Sequence, residues 1–173
     1  MIFFWIISTL SLFGISYQDF KYRAVYWWLF PMLLLALSAI KYRETGMYGL
    51  MESVLVNSTF VIFQMLAISL YFSIKNKRWL NIFDGYFGLG DLLFLLCITS
   101  YFSFWGYLLF YIVSIFLVIL IVVFLRIFFK RPDAKIPLAG YQAIFFIVFA
   151  CIQYALGKAN LSAEYLFFKY LKL

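Results

Sequence analysis

Five stretches of the chain carry no Asp, Glu, Lys or Arg: residues 1–18, 24–40, 53–74, 92–125 and 136–157. One membrane-crossing helix needs about 20 apolar residues, so four of the five fit one helix each. The stretch 92–125 has 34 residues. As a single helix it would be about 51 Å long, against a hydrocarbon core of about 30 Å. It is therefore expected to hold two helices, with a turn at Ser103-Phe104-Trp105-Gly106, where a Gly coincides with an interfacial Trp. Two spans ask for roughly 40 residues, so the first must begin before Leu92 or be short. Either choice draws Asp91 to the membrane boundary or slightly inside it.

The expected architecture is all-α: one membrane-embedded helix bundle over residues 1–173, with spans near 2–18, 24–40, 51–73, 88–103, 105–128 and 138–157. Composition agrees. Of the 173 residues, 67% are hydrophobic and 12% charged. A soluble domain carries about 25% charged residues, so too little polar surface is present to cover a globule in water.

Charge then orients the bundle. The net charge is +7, and its Lys and Arg sit between the apolar runs. This placement anchors loops and does not form a nucleic-acid stripe, so no nucleic-acid partner is expected. With six spans, Lys21, Arg23, Lys75, Lys77, Arg78, Arg126, Lys130, Arg131 and Lys135 share one side. Lys41, Arg43, Lys158, Lys169 and Lys172 share the other. Merging 92–125 into one span weakens this nine-to-five split to eight-to-six. The positive-inside rule thus favours six spans with both termini outside. All four Asp fall on the cytoplasmic side in this arrangement and all three Glu on the other. Residues 1–18 lack a basic leading segment and a small-x-small site before Asp19, so they read as a retained helix and not a cleaved signal. Residues 158–173, with Leu161, Tyr165 and Phe168 at helical spacing, read as an amphipathic helix at the interface.

His is absent, and the two cysteines, Cys97 and Cys151, lie in apolar runs without a CxxC pair. A zinc site would need about four ligands, so no metal and no other cofactor is expected, and both thiols read as buried hydrophobes. Gln64 and Gln142, polar groups within spans, read as partners in hydrogen bonds between helices.

The acids carry the chemistry. Two spans separate Asp19 from Asp91, so the chain returns to its starting face and both acids lie on one side. Acids at the ends of apolar helices are costly and usually functional. The plain alternative is capping. It suits Asp91, at the start of its helix, where the positive dipole end favours an acid. It does not suit Asp19, at the end of its helix. Asp91 closes Gly88-Leu89-Gly90-Asp91. Two glycines leave the backbone open and deformable, so that a substrate strand could approach the carboxyl group. Asp84, seven residues earlier and without a preceding GxG, reads as a loop or cap residue. Lys75, Lys77 and Arg78 read as lipid-phosphate contacts.

Gly88-Leu89-Gly90-Asp91 resembles the signature of the GxGD aspartyl proteases. Asp19-Phe20-Lys21-Tyr22-Arg23-Ala24-Val25 resembles the first-Asp segment of the type IV prepilin peptidases. Ile136-Pro137-Leu138-Ala139-Gly140 resembles the Pro-containing segment that opens a late helix in that family. Order and spacing agree across most of the chain, and six spans is the size of the short members, such as preflagellin and Tad-type prepilin peptidases. The chain differs from the family at Tyr26 and Trp27, where Pro and Asn are common, and at Leu93, where Lys is common. It lacks the paired-CxxC domain of the long bifunctional members, so methyltransferase activity is not expected. The resemblance implies an endopeptidase with Asp19 and Asp91 as catalytic pair, Gly88 and Gly90 as the points of backbone access, and a prepilin-like protein as substrate. The resemblance also implies a multi-pass protein of the cell's inner (cytoplasmic) membrane, cutting the leader at the cytoplasmic membrane boundary.

Two carboxyl groups sharing a site do not both ionise easily, and they titrate as a unit. The ionised partner can activate water while the protonated one polarises the scissile carbonyl. Two other readings remain open. A small proton-coupled transporter subunit predicts acids near the bilayer midplane. A non-catalytic homologue in pilus or secretion assembly predicts carboxyl groups too far apart to share a proton. No feature of the sequence specifies an oligomeric state.

Overall fold

A computed structural model describes residues 2–77, 87–129 and 136–155. Every regular element among them is an α-helix: α1 (Ile2–Tyr22), α2 (Leu29–Asn76), α3 (Leu89–Ile98), α4 (Phe104–Phe129) and α5 (Leu138–Ala155). Asp84 and the expected helix in 158–173 lie outside the described residues. Two helices, Leu29–Asn76 and Phe104–Phe128, are long and apolar enough to cross a membrane by length and composition.

The helix ends follow from local chemistry. α1 runs past the expected residue 18 to Tyr22 and stops where Arg23 enters the left-handed region at φ 56°. Glycine is the usual occupant of that position. α2 opens at Leu29, not at residue 24, and holds Pro31 in its first turn, where a missing N–H costs nothing. The expected pair 24–40 and 51–73 forms one run that leaves helical geometry only at Gly46, with φ 72° and ψ −174°. That backbone region is open essentially to glycine alone.

Side-chain contacts trace the path of the chain. The Arg43 guanidinium stands 5.8 Å from the Phe4 ring centre, and Leu29 lies beside Gly14, so the first arm of α2 runs antiparallel to α1. After Gly46 the chain returns. Asn57 meets the α3–α4 turn, Phe60 packs on Phe104, Tyr107 and Tyr111, and Gln64 bonds the Tyr111 hydroxyl. α5 runs alongside α3: Asp91 is bonded at its start, and Tyr101 donates to Gln153 Oε1 near its end at 2.8 Å.

The reversal between α3 and α4 falls at Thr99–Ser103, earlier than Ser103–Gly106, and Gly106 lies inside α4. α3 is consequently short, 10 residues or about 15 Å. Its turn does not reach a surface. Thr99, Ser100, Tyr101 and Phe102 are buried. Non-helical backbone in such a setting needs internal donors. Asn57 supplies them, its amide donating to the Thr99 carbonyl at 3.0 Å and the Phe102 carbonyl at 2.9 Å. The Phe102 ring fills the space beneath, against Phe110, Phe146 and Phe149 at 5.2–5.5 Å.

α1 shows what its packing selects. Its buried residues are Ser8, Ser11, Leu12, Ile15, Ser16 and Asp19, while Ile2, Phe3, Ile6, Leu10, Phe13 and Tyr17 face outward. Four of these six buried residues carry a polar group while the outward ones are large and mostly apolar, which reverses the pattern of a helix facing water. Ser8 and Ser11 satisfy their hydroxyls on carbonyls of their own helix.

Candidate active site

The first turn of any helix leaves N–H groups without intrahelical acceptors. α5 begins after Pro137, whose side chain offers no acceptor with which to cap them. Two carboxylates from elsewhere in the chain take that role. Asp19, in the last turn of α1, accepts the Gly140 N–H at 2.7 Å. Asp91, in the first turn of α3, accepts the Ala139 N–H at 2.8 Å. These donors are consecutive residues. Their nitrogens are separated by three bonds, so the two accepting oxygens are at most about 9 Å apart. At such a separation two ionised carboxylates repel one another. The positive end of the α5 dipole stabilises negative charge at the same point. Residues 19 and 91, separated by 72 positions, thus meet on one helix end, as their expected common face requires.

The glycines divide. Gly88 is the residue before α3, and a Cβ there would lie 2.7 Å from Asp91 Oδ2. Asp91 is the third residue of α3, beside that helix's own N-terminus, where the capping reading places it, and it also reaches α5. Gly90 is different: a Cβ there would meet only the Phe30 ring, at an ordinary 3.9 Å. Packing therefore explains Gly88 and leaves Gly90 available for another role.

Two site residues were not singled out for this role by sequence reasoning. Ala139 and Gly140 had been marked only within the Pro-containing segment, yet their N–H groups orient both acids. Gly140 contributes a second constraint, since a Cβ there would stand 3.1 Å from Asp19 Oδ2 and 3.3 Å from its Cβ. The available signal was Pro137, a helix start with no side-chain cap. Asn57, which holds the α3–α4 turn, had no sequence signal beyond being a lone amide in an apolar run.

The environments of the acids differ. Asp19 is 8% exposed and Asp91 half-buried. Among the described residues no third His, Cys, Asp or Glu joins the pair in a group of metal-ligating type. Leu93, where Lys is common in the family resembled, is exposed on α3.

The remaining polar residues serve packing. Gln64 bonds Tyr111, and Gln142 donates to Ser114 Oγ at 3.1 Å, both between helices as expected. Cys97 is buried and donates to the Phe30 carbonyl, whereas Cys151 is exposed, contrary to its expected burial.

No protein-family model, no curated protein and no solved structure matches this chain.

Proposed function

We propose that this protein is an intramembrane aspartyl endopeptidase of the prepilin peptidase type. Asp19 and Asp91 form its catalytic pair, and it cuts the leader from prepilin-like substrates at the cytoplasmic boundary of the inner membrane. The observation that carries the reading is the convergence of both carboxylates on adjacent N–H groups of α5. Capping α5 needs one acceptor or none from distant helices. Two acids at mutual repulsion distance are a costly way to cap it, and an arrangement that favours one protonated and one ionised carboxyl.

The topology we propose is six spans, with α2 counted as two that meet at Gly46 and both termini outside. It is supported by the reversals at Gly46 and at Thr99–Ser103, and by the outward apolar face of α1. α3 is too short to cross alone, and its buried turn makes up the depth.

In the reaction, the ionised carboxylate takes a proton from a water molecule as the water oxygen adds to the scissile carbonyl carbon. The protonated carboxyl hydrogen-bonds the carbonyl oxygen as charge develops on it. Collapse of the tetrahedral adduct breaks the C–N bond, and a carboxyl proton passes to the leaving nitrogen. A substrate helix in lipid has its backbone bonds satisfied internally and must unwind to present a carbonyl. Gly90, half-buried in the first turn of α3 and not required by packing to be glycine, leaves room beside its Cα for such a strand. Asp19 and Asp91 lie at helix ends, which favours a boundary protease over a midplane proton relay.

Purified protein in detergent, incubated with a prepilin, should release the leader. Asp19→Asn and Asp91→Asn should each lower the rate by about 10²–10⁴-fold while the helical circular dichroism signal is retained. Cleavage that survives both single changes would refute the assignment. A folded wild-type protein that cleaves no prepilin would favour the non-catalytic assembly role. Asp-dependent proton flux in liposomes would favour the transporter.

A further inference from the structure

The end of α1 and the short connection to α2 carry a run of exposed aromatic rings. Tyr22, Tyr26, Trp27 and Trp28 are all exposed, Trp27 at 75%. Residues that large are seldom left open to water in a row. Two cations stand among them. Lys21 Nζ lies 5.3 Å from the Tyr17 ring centre and 5.0 Å from that of Tyr22, and it donates to the Tyr17 hydroxyl at 2.9 Å. Arg23 is exposed beside them. The connection is also held in shape, because the Tyr26 N–H donates to Gln18 Oε1 at 2.8 Å across eight residues.

Amphipathic rings beside Lys and Arg match one environment, the boundary between acyl chains and anionic headgroups. Indole and phenol rings settle at headgroup level there, and the cations pair with phosphate. We propose that Tyr17, Lys21, Tyr22, Arg23, Trp27 and Trp28 form an anchor for anionic phospholipid. This surface sets the height of α1 in the bilayer. It rests on the membrane-crossing part of the reading above and not on the peptidase part.

The anchor has a consequence for the acids. Asp19 precedes Arg23 by four residues, one helical turn, so its carbonyl accepts the Arg23 N–H. With the connection at headgroup level, Asp19 lies about 6 Å further along α1 toward the acyl region.

The test uses the full chain in liposomes, with Trp5, Trp79 and Trp105 changed to Phe so that Trp27 and Trp28 alone report. Lipids carrying bromine at different acyl positions measure their depth. The expected result is strongest quenching by bromine nearest the headgroup and weak quenching by aqueous iodide. Adding phosphatidylglycerol to phosphatidylcholine should raise the thermal midpoint of the wild type, and Lys21→Gln/Arg23→Gln should lose most of that gain. Strong iodide quenching would overturn the proposal, as would quenching mainly by deep bromine. Protection from both quenchers would also overturn it, because a protein partner or a second copy would then cover the surface. An unchanged phosphatidylglycerol effect in the double variant would remove the cations from the anchor. All readouts are independent of cleavage, so an inactive but anchored protein would sink the peptidase reading alone.

Discussion

At the scale of the residue, Asp19 holds the most information. It is buried near a second acid, and its carboxyl accepts the Gly140 N–H. Cleavage should follow a bell-shaped profile, failing at low pH when both carboxyls are protonated and at high pH when both are ionised. The two glycines beside the acids separate structure from access. A Cβ at Gly140 presses on the Asp19 carboxyl, so Gly140→Ala should cut the cleavage rate about 10–100-fold through misplacement of that group. A Cβ at Gly90 meets nothing closer than an ordinary contact, so Gly90→Ala should leave the thermal midpoint unchanged or raise it. If the open backbone receives substrate, its rate should fall nevertheless. A Gly90→Ala enzyme as fast as wild type would remove that residue from the substrate path.

At the scale of the element, α3 is the informative case. An apolar stretch of 34 residues had to become two helices, and the expected break was placed at its glycine. The chain instead breaks at Thr99–Ser103, because Asn57 on α2 offers two donors there and the Phe102 ring can turn into the core. Propensity is a local quantity, while a buried turn is decided by the partner that satisfies its carbonyls. Asn57→Leu keeps approximate volume and removes both donors. It should cost about 1–3 kcal/mol of stability, read as a shift in the denaturation midpoint in detergent. An unshifted midpoint would mean that the turn finds other donors. Likewise, Gly46 was not marked as a hinge, since nothing in a lone glycine distinguishes a tolerated helix residue from one at φ 72°.

At the scale of the whole molecule, the decisive relation is that both acids meet at the start of α5. Single cysteines placed by Lys21→Cys or Lys75→Cys, in a chain lacking Cys97 and Cys151, should react with an impermeant thiol reagent only from the cytoplasm. Arg43→Cys should react only from outside. Labelling of positions 21 and 75 from opposite sides would separate the acids across the bilayer and end the shared-site model. The bundle gives a reason for the placement: α1 ends, α3 begins and α5 begins at one level, so three helix termini meet there.

The amino-acid sequence alone determined the helical class, the apolar runs and the common face of Asp19 and Asp91. Each of these depends on composition and on counting along the chain. It also marked Gly88-Leu89-Gly90-Asp91 and the Pro137 segment without showing that they touch. Tertiary structure decided that contact, because hydrogen bonds from Ala139 and Gly140 to acids 48 and 121 residues away depend on how three helices pack. It also decided which glycine is needed for space and where the long apolar run turns, for the same reason. A vacancy beside a Cα, or a donor facing a carbonyl, is a property of neighbours that are distant in the chain.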